Sequence, residues 1–199
     1  MGAIFAIKKD DVVYLAADAV KECCDVNFYV NKESNLRLHK MPSGIIIAAS
    51  GPMQLTERLW LHDEWFELED GEVFDKRFIV TKIIPRYCEA LEIFDVWEEN
   101  DNSYTNELDV GFIIAKGSDI YIIAADLTVV KCDKFAAISD GDTADLMMIS
   151  YANACEEENP EKVIKKTYEF TAGKRANVST HGFIINTKDF TFKKMEDVQ

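Results

Sequence analysis

Ala3 to Asp18 reads AIFAIKKDDVVYLAAD. An apolar run from Ala3 to Ile7 and a second from Val12 to Ala17 flank the charged turn Lys8-Lys9-Asp10-Asp11. Two short apolar runs joined by a polar turn predict a β-hairpin. Its second strand delivers Asp18.

Beyond the hairpin, Asp25 to Val30 and Leu36 to Met41 read as short strands, and Gly44 to Ser50 (GIIIAAS) as a buried one ended by Gly51-Pro52. From Met53 to Glu69, apolar residues recur at Leu55, Leu59, Trp60, Leu61, Trp65, Phe66 and Leu68, which predicts a helix packed on a sheet. A second helix is predicted over Asp75 to Trp97, kinked at Pro85, before an acidic loop from Glu98 to Glu107. Asp109 to Ala115, Ile120 to Ala125 and Thr128 to Ile138 read as three strands, the first two joined by Lys116-Gly117-Ser118-Asp119. Two more helices are expected over Asp142 to Glu157 and Pro160 to Thr171, the latter with Asn159 as N-cap and proline at its first position. Gly182 to Asn186 and Phe190 to Lys193 close the chain as strands. Segregated blocks of strands and paired helices predict an α+β fold, with a helix pair covering each side of two stacked sheets. At 199 residues, positions 1–199 suit a single domain.

Asp and Glu outnumber Lys and Arg 36 to 22, for a net charge of -14. A phosphate backbone or an anionic membrane would meet long-range repulsion, so neither a nucleic acid nor a membrane is an expected partner. No segment has the apolar length of a transmembrane helix and the N-terminus lacks the pattern of a signal peptide, which predicts a cytoplasmic protein. Met1-Gly2 opens like an N-myristoylation signal, but Ala6 stands where that signal wants Ser or Thr. Cys23, Cys24, Cys88, Cys132 and Cys155 form an odd set without a CxxC pair, which disfavours disulfides and a structural zinc site. His39, His62 and His181 are scattered, so neither a metal nor a cofactor is expected. No phosphate-binding, dinucleotide, zincin or nucleophile-elbow motif occurs.

What chemistry the chain suggests begins at the opening hairpin. A hairpin that pins the start of the chain beside a carboxylate is what an N-terminal nucleophile would require, yet no Ser, Thr or Cys precedes Cys23. Ser50-Gly51, closing a buried strand before a helix, is a place where backbone N–H groups can hold an oxyanion.

Several stretches, taken in order, resemble the proteasome β-subunit and HslV branch of the N-terminal nucleophile (Ntn) hydrolases. Ala3 to Asp18 is similar to the opening hairpin that ends in the catalytic aspartate of that family. Arg37 to Gly51 (RLHKMPSGIIIAASG) resembles the stretch from the catalytic lysine to the small-residue turn. Gly111 to Ala125 (GFIIAKGSDIYIIAA), Ala137 to Ala144 (AISDGDTA) and Arg175 to Ile185 (RANVSTHGFII) resemble the central hairpin, the glycine turn opening the third helix and the lead into the last core strand. The resemblance implies a four-layer αββα sandwich of two antiparallel sheets flanked by helix pairs. It also implies a homo-oligomer, of the ring kind that the family builds, with a peptide or protein as partner.

Carried over residue by residue, the resemblance implies a damaged site. The nucleophile position falls on Gly2, which is inert. The aspartate is kept as Asp18, the lysine reads Arg37, and the distal serine, aspartate and second serine read Asp140, Ala176 and Ser179, with Thr180 and His181 in place of paired glycines. Arginine stays protonated and cannot serve as a general base. The resulting expectation is an inactive subunit for assembly or binding. Two other readings stand beside it: a threonine-type peptidase or amidohydrolase whose nucleophile has been replaced at position 2, or rebuilt on Cys23 or Cys24, and a ligand sensor using Arg37 as an anchor for carboxylates.

Overall fold

In the computed structural model of the chain, the described residues are 2–23, 26–29, 37–51, 60–93, 110–154 and 156–199. The opening hairpin forms as expected, from β1 (Ile4–Lys9) and β2 (Val12–Asp18). Asp10 and Asp11 take positive φ angles of 49° and 60°, the left-handed pair that a two-residue turn between twisted strands requires and that aspartate tolerates. Together with β10 (Phe135–Ile138), β11 (Gly182–Asn186) and β12 (Lys193–Lys194), this hairpin makes an antiparallel sheet in the order β10-β1-β2-β11-β12. A second antiparallel sheet has the order β5-β6-β7-β8-β9, formed by Leu38–Lys40, Ile46–Ser50, Gly111–Lys116, Asp119–Ile123 and Val129–Cys132.

The two sheets stack through alternate side chains. Ile4, Ala6, Leu15, Ala17 and Ile185 of the first sheet meet Ile46, Ala48, Ile113 and Ala115 of the second. The intervening residues face outward into helices. Ala3, Phe5, Ala16 and Ile184 pack on α3 (Gly141–Ala154) and α4 (Pro160–Ala172) through Met147, Ile164 and Tyr168. Ile47, Ala49, Phe112 and Ile114 pack on the other side against Phe66, Phe78, Ile79, Ile83 and Tyr87. Strands buried on both faces explain why the sequence runs apolar without alternation. The result is the expected αββα layering.

Several expected elements differ. Val26–Tyr29 (β4) pairs with Val20–Cys23 (β3), a strand the sequence reading leaves as loop, so Cys23 ends a strand; Cys24 and Cys155 lie outside the described residues. The helix expected over Met53 to Glu69 does not run to its expected end. Residues 52–59 lie outside the described residues, and Asp63–Phe66 form a 3-10 turn with Leu61 77% exposed, which removes one of the apolar positions that predicted a continuous stripe.

The next helix begins on its cap, Asp75, whose side chain accepts from Phe78 N–H at 2.8 Å. It then passes from α1 (Lys76–Phe78) through a π-helical turn (Ile79–Ile83) into α2 (Ile84–Ile93). The widened turn precedes Pro85, whose ring and missing N–H disfavour regular α-helical bonding one turn earlier. The end of this helix toward Trp97 and the loop Glu98 to Glu107 fall outside the described residues. Thr128 to Ile138 is not one strand: β9 edges the second sheet and β10 the first, the chain crossing between layers at Asp133-Lys134. The closing strand shrinks to Lys193–Lys194, with Phe190 at φ 59°.

Candidate functional site

Asp18 ends β2 and is 1% exposed. Its carboxylate accepts from Ala3 N–H and from Ser179 N–H, each at 3.3 Å. The second contact depends on Gly182, which pairs with Asp18 across the sheet. A Cβ there would overlap the Ala17 carbonyl oxygen and stand 2.9 Å from Asp18 Cα, so only glycine lets β11 approach β2 this closely. Burial pushes the Asp18 carboxyl up to about 7, against the opposing pull of the Arg37 charge and the two amides.

Arg37 enters from the second sheet, just before β5, and is 7% exposed. Its guanidinium fills the volume that a side chain at Gly2 would need. A Cβ built on Gly2 would lie 2.7 Å from Nη2 and closer still to Nε and Cζ. Gly2 is buried, and its carbonyl accepts from the Ser50 hydroxyl at 2.7 Å. Gly51, next to Ser50, has φ 147°, a backbone region open in practice to glycine alone. The first strand is thus fixed to both sheets within its first two described residues.

Sequence reasoning missed one participant. Tyr168, fully buried on α4, has its hydroxyl 2.9 Å from the Ala3 carbonyl and 3.1 Å from the Ala16 carbonyl. Desolvation, reinforced by the nearby Asp18 charge and offset by Arg37, raises its pKa well above the ordinary tyrosine value. The available signal was a tyrosine in an apolar helix stripe, a residue whose O–H must find a partner when buried.

Gly2, Asp18, Arg37 and Ser179 therefore come together. Asp140 belongs to a neighbouring role: it caps α3 through Thr143 N–H at 2.9 Å and accepts from Asn177 Nδ2 at 2.8 Å. Partial burial would raise its pKa, but the bonds from Thr143 and Asn177 hold it below the usual carboxylate value. Ala176 and Thr180 are exposed. The Ser179 hydroxyl accepts from His181 N–H at 2.9 Å, the geometry of a hydroxyl closing a turn. The histidines stand elsewhere: His39 stacks on Trp60, His62 on Trp65, and His181 lies 3.8 Å from Glu196.

Chemically, the cluster offers a buried carboxylate, a permanent cation and three hydroxyls, of Ser50, Tyr168 and Ser179, already engaged with backbone groups. None of the placed groups forms a nucleophile with a base beside it. Among the described residues, no group of three or more His, Cys, Asp or Glu is arranged to hold a metal, and no helix is long and apolar enough to cross a membrane. An apolar cavity lined in part by Ile47, Phe66, Ile83, Tyr87 and Leu127 lies on the outer face of the second sheet and shares no residue with the cluster.

Two stacked antiparallel sheets between helix layers, with the first strand beginning beside a buried aspartate, define the fold of the proteasome-like N-terminal nucleophile hydrolases. Solved structures agree. BPH from Thiobacillus denitrificans in complex with epoxomicin superposes with a TM-score of 0.70 at 16% identity, over 92% of this chain and 97% of that one. Eukaryotic HslV from Trypanosoma brucei gives 0.61 at 14% identity, over 92% and 98%. The Gly-1 mutant of Anbu from Hyphomicrobium sp. strain MC1 gives 0.68 at 12% identity, over 98% and 87%. At these identities the likeness is one of fold. No family model matches the sequence, and no curated protein does.

Proposed function

We propose that this chain is a non-catalytic subunit of proteasome-like fold, a single domain kept for assembly or for binding a peptide or protein partner in the cytoplasm. The observation that carries the proposal is the occupation of the Gly2 side-chain space by the Arg37 guanidinium. A lost hydroxyl alone would leave room for its return. Here the room has gone to a residue that cannot accept a proton. The same packing works against a substituted threonine as the only change and against an open anchor for ligand carboxylates, since either must move an arginine that is 7% exposed.

Assembly into a homo-oligomer is part of this reading. It is supported by the fold shared with HslV and with Anbu, which in Pseudomonas aeruginosa is described as a helical assembly and matches this chain at TM-score 0.66 and 11% identity, over 96% of this chain and 85% of that one.

The test is turnover and covalent capture. Purified protein is incubated with a panel of fluorogenic peptides and, separately, with epoxomicin, followed by intact mass. The expected result is no hydrolysis and no adduct. Hydrolysis that disappears in Asp18→Asn would overturn the proposal.

A further inference from the structure

The closing segment of the chain sits in a slot between the edge of β11 and α4. Lys193 and Lys194 (β12) pair with Ile184 and Phe183 of β11, and a 3-10 turn, Met195–Asp197, follows. Met195 and Val198 are 1% and 6% exposed and join the apolar cluster that holds Ile184 and Ile164. Two lysine contacts, both 2.6 Å, complete the seat: Lys193 Nζ donates to Glu161 Oε1 at the start of α4, and Lys165 Nζ of α4 donates to the Val198 carbonyl. None of these contacts requires slot and segment to belong to one chain. The connection between them is a turn, Asn186 to Phe190. Phe190 has φ 59°, the left-handed position where short hairpin loops ordinarily place glycine. It is held there by bonds within the turn: Phe190 N–H donates to the Asn186 carbonyl at 3.1 Å, and the Asn186 side chain accepts from Lys188 and Asp189 N–H at 2.9 and 3.0 Å. Opening the turn exchanges those bonds for bonds to water and releases Phe190 from a strained backbone.

We propose that residues 191–199 exchange between copies of this chain, the closing segment of one copy occupying the β11–α4 slot of the next. The inference rests on the assembly reading above. Exchange replaces each contact by an identical one, so it has little driving force between free monomers. Once assembly holds copies side by side, the neighbour's segment competes for the slot at high effective concentration. Opened, the stretch from Thr187 to Phe192 reaches about 20 Å, enough to cross to an adjacent copy. The exchange also touches the buried aspartate. The Met195 methyl lies so near Gly182 that a Cβ there would stand 2.9 Å from it, and Gly182 is the strand partner of Asp18. The side chain packed on that pairing then comes from the neighbouring copy.

The test uses the ion pair between Lys193 and Glu161 as a reporter. Two full-length copies are co-expressed, one carrying Lys193→Arg and the other Glu161→Gln, and treated with a carbodiimide, which joins a lysine amine to a carboxylate in contact with it. Neither copy can form that amide within itself, since one lacks the amine and the other the carboxylate. The expected result, read by mass spectrometry, is the Lys193–Glu161 cross-linked peptide from the co-expressed pair and none from either variant alone. Oligomers of the pair without that peptide, while the wild type still forms it, would overturn the exchange and leave assembly standing. A chain that sediments as a monomer at every concentration would overturn both. A second variant removes the dependence on cross-linking. Deleting Lys188 and Asp189 leaves too short a turn for the segment to fold back, which should convert the protein wholly into multimers. A folded monomer of that variant would overturn the exchange.

Discussion

At the scale of single residues, Gly2 and Arg37 are best understood as a pair. Arg37 brings a positive charge to a buried carboxylate, and glycine at position 2 leaves the space for it. Gly2→Thr should therefore be inactive toward peptides and should lower stability by about 1–3 kcal/mol, the usual cost of overpacking. Arg37→Lys in the same chain should recover part of that loss, because the slimmer ammonium can vacate the contact. Denaturant midpoints of the two single variants and the double variant check this, and strictly additive losses would show that the two residues are not coupled.

Asp18 makes a second prediction. Its carboxyl titrates near 7 in the folded chain against 3.8 when unperturbed. Below the lower value both states are protonated. Between the two values the unfolded chain ionises first, so stability is lost as pH rises toward 7 and the loss then levels off. At about 1.4 kcal/mol per pH unit its ceiling is about 4 kcal/mol. Unfolding free energies from pH 4 to pH 8 should show this decline in the wild type and not in Asp18→Asn. Asp18 was legible as the residue that the opening hairpin delivers, and Arg37 only through the resemblance of Arg37 to Gly51 to the stretch that begins with the lysine of that family. Tyr168 was not, since an apolar helix stripe reads as packing and gives no hint of which carbonyls its hydroxyl will meet.

At the scale of elements, legibility followed local chemistry. Asn159 was readable as a cap, and its side chain accepts from Glu161 and Lys162 N–H at 2.9 and 3.2 Å. Asn159→Ala should cost about 1 kcal/mol in chemical denaturation. The split of Thr128 to Ile138 between two sheets was not readable. Asp133-Lys134 carries neither glycine nor proline, and the apolar pattern continues across it into a different layer. What fixes the crossing is non-local: Lys8 N–H donates to the Lys134 carbonyl at 2.7 Å, and β10 pairs with β1 from Ile4 to Ile7. The same holds for Gly182, an ordinary strand glycine in the sequence whose need arises only from the approach of β2. Gly182→Ala should destabilise more than the Asn159 variant, because the clash is with backbone atoms that cannot rotate away. It should also shift the Ser179 amide, which a mere loss of strand propensity would leave in place.

At the scale of the whole molecule, the excess of acidic charge governs behaviour. A net charge of -14 on 199 residues makes each copy repel the next, and it also repels itself. The ion pairs that the fold does form, such as Lys131 with Asp119 at 2.7 Å and Lys193 with Glu161 at 2.6 Å, are partly solvated and contribute little individually. Self-repulsion should therefore outweigh them in the response to salt. Raising ionic strength from about 0.01 M to about 0.15 M shortens the screening length from about 30 Å to about 8 Å, which weakens repulsion between distant carboxylates more than it weakens contacts of a few ångströms. Thermal midpoints should rise over that interval. Sedimentation at the same concentrations should show association strengthening with salt if copies of this chain assemble through apolar contacts. A midpoint that falls with salt would instead show that local ion pairing outweighs self-repulsion, and association that weakens with salt would mean that subunits meet through opposite charges despite the excess of acid.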